Sequence, residues 1–340
     1  MFDRDYIISW RDDYIEFYLP FNTAGRYVVL SSPKGNSNKY KIPVINKNLV
    51  TYSYENPMSY NLKQSVVLDN IVALKGSYIN LFMPAVYRGL NQQSIKINSN
   101  NGVYNSDSNT VDIIIPIKDS GVSITTNLTS SLIVYNLKSV INKSSVVYRY
   151  DKKFPEYIRG FKDSPDVNSL DNDLYQTAKW LVRNSRNRYD QAQIIIEWIN
   201  KYVKLNPTGS DVSEEIFKKR EGSGIGLVNL AVSMIRSIGI PAIVVKGVKT
   251  SDTTNVYQWL EFYLVGGVWV PVDMLELYSN SSYEIGNINN NCIAFSKGVT
   301  MIKYQSENYR QDLYALQNCV DSFDGNIESY RAVWHNVIIE

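Results

Sequence analysis

The chain has 340 residues, enough for two or three domains, and 44% of them are hydrophobic while only 20% are charged. This balance favours a packed core over general disorder. The sequence holds a single histidine, His335, and two cysteines, Cys292 and Cys319. These counts exclude His-x-x-x-His zinc sites, three-histidine cages and CxxC-type clusters, so we predict no metal and no cofactor. A mechanism that needs an imidazole base would have to use His335.

The formal net charge is +2, from 35 basic and 33 acidic residues, and no concentrated basic run is present. We therefore expect no nucleic-acid partner. The longest apolar stretches, such as residues 111–117 and 238–245, are too short to span a bilayer, so we also expect no membrane association. The amino-terminal residues lack the apolar core of a signal peptide. This predicts a virion or cytoplasmic assembly, or a cell-surface location if a leader has been removed.

Roughly the first 150 residues predict β-structure throughout. Short runs rich in Val, Ile, Tyr and Phe alternate with turn clusters such as residues 32–36 and 98–102. The predicted strands cover residues 6–10, 14–19, 27–31, 49–54, 65–68, 78–83, 94–98, 111–117, 121–125, 131–137 and 145–150. Many short strands at this spacing are typical of a β-sandwich. We predict that residues 1–150 form a β-sandwich-like docking or spacer domain.

The spacing of apolar residues becomes helical after residues 154–165. Four helices are predicted: residues 174–182, one from Asp190 as N-cap, one after Asp211 with Glu214 completing a capping box, and one from residues 222–226 to Gly239. Strands are then predicted at residues 242–249, 256–265, 268–273 and 298–304, and a last helix at residues 306–320. Helices followed by an antiparallel sheet indicate an α+β domain over residues 151–340.

One segment carries a recognisable motif. Residues 222–242 read GSGIGLVNLAVSMIRSIGIPA, and a YQWLE strand and a WVPVD strand follow. This pattern resembles the transglutaminase-like superfamily, in which Gly-x-Cys begins a buried helix that ends in Leu-Leu-Arg-x-x-Gly-Ile-Pro-Ala. His-x-Trp-x-Glu and Trp-x-x-x-Asp strands come next in that family. The matching residues are Ile235, Arg236, Gly239, Ile240, Pro241, Ala242, Trp259, Glu261, Trp269 and Asp273. The resemblance covers roughly residues 170–275 and implies a papain-like α+β fold.

The family's site implies a Cys-His-Asp triad, with the cysteine at a helix N-terminus where the dipole favours a thiolate. Carried over by position, the cysteine slot falls on Gly224, the histidine slot on Tyr257, and only Asp273 keeps its residue. Glycine offers no nucleophile, and tyrosine, with an unperturbed pKa of about 10, is a poor base at neutral pH. We therefore expect a degenerate member of the superfamily, a pseudoenzyme with no catalytic residues.

Other chemistry at these positions stays open. A relocated nucleophile could come from Cys292 or Cys319 with His335, or from Ser223 beside the cysteine slot. The acids Glu261 and Asp273, next to aromatic residues, are also compatible with cutting a sugar. The remnant groove could bind a glycan or a peptide, although three of its residues are framework positions of the family. The candidate groove residues are Ser223, Tyr257, Trp259, Glu261, Trp269 and Asp273.

These observations lead to one functional hypothesis and two alternatives. The hypothesis is a non-catalytic structural or recognition component of a larger assembly, with other protein subunits as partners. Heavy use of asparagine and tyrosine, with more lysine than arginine, indicates an AT-rich coding source, which fits a phage virion or tail protein or a bacterial surface protein. The alternatives are a protein that binds cell-wall glycan or peptide, and a transglutaminase-like or protease-like enzyme with a relocated nucleophile.

Overall fold

Short hairpins lead into the fold. A computed structural model describes residues 7–11, 15–17, 27–32, 35–41, 49–99, 101–162, 164, 166–298, 300–305, 310–315 and 320–340. The first strands are β1 (Ile7–Trp10), β2 (Ile15–Phe17), β3 (Tyr27–Val28), β4 (Ser31–Ser32), β5 (Gly35–Asn36) and β6 (Tyr40–Lys41). They pair antiparallel as β1–β2, β3–β6 and β4–β5. The β-structure predicted for the start of the chain is confirmed where these residues are described.

Two packed sheets make up the next part of the chain. Their strands are β7 (Val50–Ala73), β8 (Tyr78–Pro84), β9 (Gln92–Ser99), β10 (Gly102–Asn105), β11 (Thr110–Pro116) and β12 (Ile124–Ile141). One sheet contains β7, β12 and β9, and the other contains β10, β11 and β8. Alternate side chains of both sheets, among them Val66, Leu68, Leu81 and Ile113, share one buried core. The predicted β-sandwich-like region is confirmed.

Several strand predictions in this region need correction. The strands predicted at residues 121–125 and 131–137 both overlap the single strand β12, which begins at Ile124. The strands predicted at residues 49–54 and 65–68 are likewise parts of the single strand β7. Asn56 adopts a positive φ of 49° beside Pro57, and the opposite strand shows a register shift, so this point bends the strand without ending it. The strand predicted at residues 145–150 is absent, because a 3₁₀ turn at Lys143–Ser145 leads into a segment with an isolated bridge at Val147.

Helices cover the middle of the chain. They are α1 (Pro155–Gly160), α2 (Asn172–Leu181), α3 (Arg188–Tyr202), α4 (Ser213–Lys219) and α5 (Gly224–Ser237), with the short strands β13 (Lys204–Leu205) and β14 (Glu221–Gly222) between them. The side chain of Asn187 caps α3, so this helix starts earlier than the predicted N-cap, Asp190. The predicted capping box at α4 is wrong, because the N-cap residue is Val212, whose side chain makes no capping hydrogen bond. Among the described helices, none has the length and apolarity needed to cross a bilayer.

Helix α5 packs on a four-stranded antiparallel sheet. The strands of this sheet are β15 (Ala242–Lys249), β16 (Asp252–Leu264), β17 (Val268–Val272) and β18 (Cys292–Lys297), in the order β17-β16-β15-β18. The short helix α6 (Met274–Ser279) lies between β17 and β18 in sequence. Leu227, Leu230 and Met234 of α5 share a core with Leu260 and Phe262 of β16. This helix and these strands confirm the α+β order predicted for the second half of the chain.

The end of the chain is made of strands: β19 (Thr300–Gln305), β20 (Arg310–Ala315), β21 (Val320–Asp324), β22 (Ile327–Trp334) and β23 (Ile338–Ile339). The predicted helix at 306–320 is wrong over residues 310–315, which pair with β19 from Thr300↔Ala315 to Gln305↔Arg310. Pairing between strands overrides the helical spacing of a few apolar residues. The rest of that prediction, apart from residue 320, lies outside the described residues, as does Cys319.

The last strands return to the N-terminal sheets. Strand β21 pairs with β8, and both β22 and β23 pair with β7. The two sandwich sheets therefore run β10-β11-β8-β21 and β22-β7-β12-β9. Residues 320–340 therefore belong structurally with the N-terminal sheets. A boundary near residue 150 would instead group them with the helical part that precedes them in sequence.

Buried amides join the sandwich to the edge strand β18. The side-chain amide of Asn109 donates to the carbonyl oxygens of Ala85 at 2.8 Å and of Phe295 at 2.9 Å. Gln92 donates to the carbonyl oxygen of Ala294 at 3.2 Å, and the backbone N–H of Tyr87 donates to the same oxygen at 2.9 Å. These bonds satisfy polar groups along the edge of the second sheet and fix it against the first half of the chain.

Candidate functional site

The cysteine slot lies at the N-terminus of α5. Ser223 is the N-cap of this helix, and its hydroxyl oxygen accepts the backbone N–H of Gly226 at 2.9 Å. The same hydroxyl donates to the carboxylate of Asp211. Gly224 is the first residue of the helix. The sequence therefore places the slot where the helix dipole would favour a thiolate, but puts no side chain there.

An apolar side chain occupies the space beside Gly224. A Cβ atom added to Gly224 would lie 2.9 Å from both Cδ atoms of Leu275, which belongs to the first turn of α6. Carbon atoms at optimal separation lie about 3.5–4.0 Å apart, so a cysteine at this position would require Leu275 to move. The motif did not indicate this residue. Its one sequence signal is its place two residues after the aspartate slot.

The histidine and aspartate slots are joined by hydrogen bonds. The hydroxyl of Tyr257 lies 2.8 Å from each carboxylate oxygen of Asp273. Asp273 also caps α6, accepting the backbone N–H groups of Leu275 at 3.1 Å and Glu276 at 3.0 Å. Its own backbone N–H donates to the hydroxyl of Tyr283 at 2.8 Å. The structure thus brings the two predicted slots together, with the Tyr257 hydroxyl held by Asp273.

The environment keeps Tyr257 protonated. Burial raises the pKa of its hydroxyl, and the negative charge of Asp273 raises it further. The pKa of Asp273 is itself raised by burial, against the lowering effect of hydrogen bonds from Glu276 and Tyr257. A tyrosine acts as a base only as its phenolate, which this site disfavours. Tyr257 is therefore a hydrogen-bond donor to Asp273, not a proton acceptor.

Among the described candidates for a relocated nucleophile, Cys292 is in an unfavourable environment. Cys292 is fully buried, and burial raises the pKa of its thiol, with the charge of Asp273 adding to the shift. A thiolate is thus disfavoured at this position. His335 lies beside β7, where its backbone N–H donates to the carbonyl oxygen of Ser65 at 3.0 Å. Cys319 is outside the described residues.

The predicted groove is filled by its own side chains. Trp259 is 2% exposed, Glu261 3% and Trp269 7%, and Ser223 and Asp273 are also buried. The carboxylate of Glu261 pairs with the ammonium group of Lys297 at 2.5 Å, and that group lies 4.0 Å from the ring centre of Trp269. These side chains hold the sheet together and do not line an open groove. Of the six predicted residues, Tyr257 alone is partly exposed. Ligand binding there stays a prediction.

The same packing argues against a pair of carboxylates that cuts a sugar. Glu261 is engaged with Lys297 inside the protein, and Asp273 is engaged with Tyr257 and the start of α6. A glycosidase needs one acid and one carboxylate on either side of a bound sugar. Neither carboxylate reaches solvent here, so the arrangement provides no place for the sugar.

Comparisons with known proteins agree with the motif. A model of the transglutaminase-like superfamily core matches residues 175–274. Among solved structures, the chain is similar to one described as a "Putative Cysteine Protease from Cytophaga hutchinsonii", with 17% identity, a TM-score of 0.51, and coverage of 85% of this chain and 92% of that one. It is also similar to the periplasmic domain of TgpA from Pseudomonas aeruginosa, with 11% identity, a TM-score of 0.34, and coverage of 66% and 88%. No curated protein sequence matches. Residues 175–274 of this chain are a transglutaminase-like superfamily domain.

Proposed function

We propose that this chain is a non-catalytic structural or recognition component of a larger protein assembly, built on an inactive transglutaminase-like domain. The observation that carries the proposal is the absence of a side chain at Gly224, together with Leu275, whose Cδ atoms lie 2.9 Å from where a Cβ atom of residue 224 would be. Where the family's motif places a reactive thiol, this chain has no side chain, and a leucine fills the adjacent space. A site that lacks its nucleophile and is crowded by a leucine side chain supports a role of the domain as a scaffold.

The chemistry of acyl transfer supports the same conclusion. That reaction needs a nucleophile and a base that takes its proton, and the two act as a unit. The hydroxyl of Ser223 is the closest substitute in sequence, but it is engaged with Asp211 and with the backbone of Gly226. The single histidine lies beside the sandwich sheets. In the part of the chain that the structure describes, no imidazole accompanies this serine.

The sandwich supports a role in assembly. Val103, Ile114 and Tyr78 are 71%, 60% and 44% exposed, and the pairing of β10, β11 and β8 places all three on the outer face of one sheet. Neighbouring apolar side chains that remain on a protein surface are typical of contact sites for other proteins. A subunit of a phage virion or tail would use such a face to contact its neighbours.

The closed slot can be tested by rebuilding the triad. We expect the thiol introduced by Gly224→Cys to be alkylated slowly, because Leu275 crowds it and Tyr257 does not take its proton. Adding Tyr257→His and Leu275→Ala should raise the alkylation rate about 100-fold, since a positioned base contributes about 10²–10⁴-fold. The rate is measured with iodoacetamide and mass spectrometry in a Cys319→Ala background.

Asp273→Asn in the rebuilt variant is the control, because it should remove most of the gain by leaving the new imidazole without its carboxylate. A Gly224→Cys variant that reacts as fast as the triple variant would show that Leu275 and Tyr257 do not close the slot.

A further inference from the structure

Three elements of the transglutaminase-like domain end side by side and form a basic and aromatic surface. Helix α3 ends at Tyr202, strand β13 begins at Lys204, and α4 is followed by Arg220, whose carbonyl oxygen accepts the N–H of Lys204 at 2.8 Å. We call this surface the α3–α4 patch and define it by Trp198, Lys201, Tyr202, Lys204, Phe217 and Arg220. The rings are contiguous, with centres 5.9 Å apart for Trp198–Tyr202 and 6.3 Å apart for Trp198–Phe217.

Arg220 is the centre of the patch. Its guanidinium lies 4.5 Å from the ring centre of Trp198 and 4.3 Å from that of Phe217, within the range of cation–π attraction. Its backbone adopts φ 57° and ψ 32°, a left-handed conformation that favours glycine. Its Nη1 atom is buried and makes no hydrogen bond to any described residue. The side chain is thus held in place by the two rings.

The lysines around Arg220 are exposed and carry more charge than the chain neutralises. Lys201 and Lys204 are exposed, and the ammonium group of Lys204 is 3.9 Å from the carboxylate of Glu221. Next to Arg220, Lys219 pairs with Glu215 at 3.5 Å. Exposed ion pairs of this kind contribute little to stability, so these lysines can pair with carboxylates of a partner instead. Lys204 and Lys219 thus already contact carboxylates of this chain. The basic side chains of this surface still outnumber the carboxylates paired with them.

We propose that the α3–α4 patch is the docking site for a segment of a partner protein that is rich in Asp and Glu. Tryptophan, tyrosine and arginine are the residues most enriched where protein interfaces gain their binding energy. The planar guanidinium of Arg220 suits a carboxylate, which it can contact through two parallel hydrogen bonds. The proposal rests on the recognition role proposed above, but does not depend on the loss of catalysis.

Binding of a dye-labelled peptide rich in Glu and Asp, followed by fluorescence anisotropy on the full chain, tests the site. We expect Lys201→Glu with Lys204→Glu to weaken binding about tenfold or more, since charge reversal removes attraction and adds repulsion. Arg220→Gly should weaken it as well, and should fold normally because glycine suits this backbone conformation. The matched control, Lys75→Glu with Lys118→Glu, makes the same charge change at exposed lysines of the sandwich and should bind like the unchanged protein.

A carbodiimide that joins amines to carboxylates without a spacer should crosslink the peptide to Lys201 or Lys204. Equal loss of binding in the control and in the patch variants would overturn the proposal. So would tighter binding of a single-stranded oligonucleotide or a sulfated polysaccharide of matched charge. Turnover of an acyl donor would instead contradict the proposed non-catalytic function while leaving the patch in place, so the two failures are distinguishable.

Discussion

Replacing Lys297 with methionine is expected to lower the free energy of unfolding by about 3–5 kcal/mol, because it leaves a buried carboxylate without its cation. Glu261 is 3% exposed, and its carboxylate lies 2.5 Å from the Lys297 ammonium group. Burial lowers the pKa of Lys297, which shows how unfavourable an isolated charge is at this place. The same substitution also removes the cation from the ring of Trp269. Urea denaturation measures the change.

Two variants separate the buried charge from the loss of packing. Lys219→Met breaks the exposed pair with Glu215, and we expect it to change the stability by less than about 1 kcal/mol. Lys297→Met combined with Glu261→Met should recover most of the loss, because no unpaired charge then remains in the interior. A Lys297→Met protein as stable as the Lys219→Met protein would contradict a buried ion pair at this position.

Gly247→Ala is expected to destabilise the fold by about 3 kcal/mol or more, at the upper end of overpacking effects. A Cβ atom at Gly247 would lie 1.8 Å from the carbonyl oxygen and 2.7 Å from the carbonyl carbon of Ile293. These atoms belong to the backbone of β18, and the register between β15 and β18 shifts at this glycine. The clash can be relieved only by separating the edge strand β18 from β15, which pairs on its other side with the motif's strand β16.

Gly89→Ala is the matched control, because the nearest atoms to its added Cβ lie 3.8 Å away, an ordinary contact distance. Thermal melting of both variants, read by circular dichroism, checks the pair. If Gly247→Ala melts at the same temperature as Gly89→Ala, then β15 and β18 do not approach each other as closely as the structure has them.

The sequence predicts an element of the fold well where the residues that define it lie close together in the chain. The motif located α5 and its strands because a helix cap, a glycine stop and two strands lie within one short segment. The helix predicted near the end of the chain is wrong over residues 310–315 for the opposite reason. Residues 310–315 and the returning strands β21 and β22 are fixed by pairing with distant strands, and their own sequence carries no trace of those partners.

The candidate site shows the same division. The spacing of the motif predicts the slots at Gly224, Tyr257 and Asp273, and the structure joins Tyr257 to Asp273. The packing of Leu275 against Gly224 was not predictable, because a leucine in the first turn of a helix has the pattern of an ordinary core residue. Burial of the predicted groove also depends on contacts between strands, such as the pairing of Glu261 with Lys297.

The α3–α4 patch was hidden for a related reason. The sequence has no long basic run, although Lys218, Lys219 and Arg220 are consecutive. Lys201 and Lys204 are separated in the chain from Arg220 by α4, and the parallel pairing of β13 with β14 brings them together. Charge patterns along a sequence therefore did not reveal a charge pattern on the folded surface.

The central claim is that this transglutaminase-like domain is not catalytic. The most direct test incubates the purified chain with a cysteine-reactive acyl-donor probe and measures both turnover and the labelled residue. We expect no turnover, and labelling of Cys292 only after denaturation, because the folded protein buries this thiol and raises its pKa. Turnover by the unchanged chain that is abolished by Cys292→Ala or Cys319→Ala would contradict the claim.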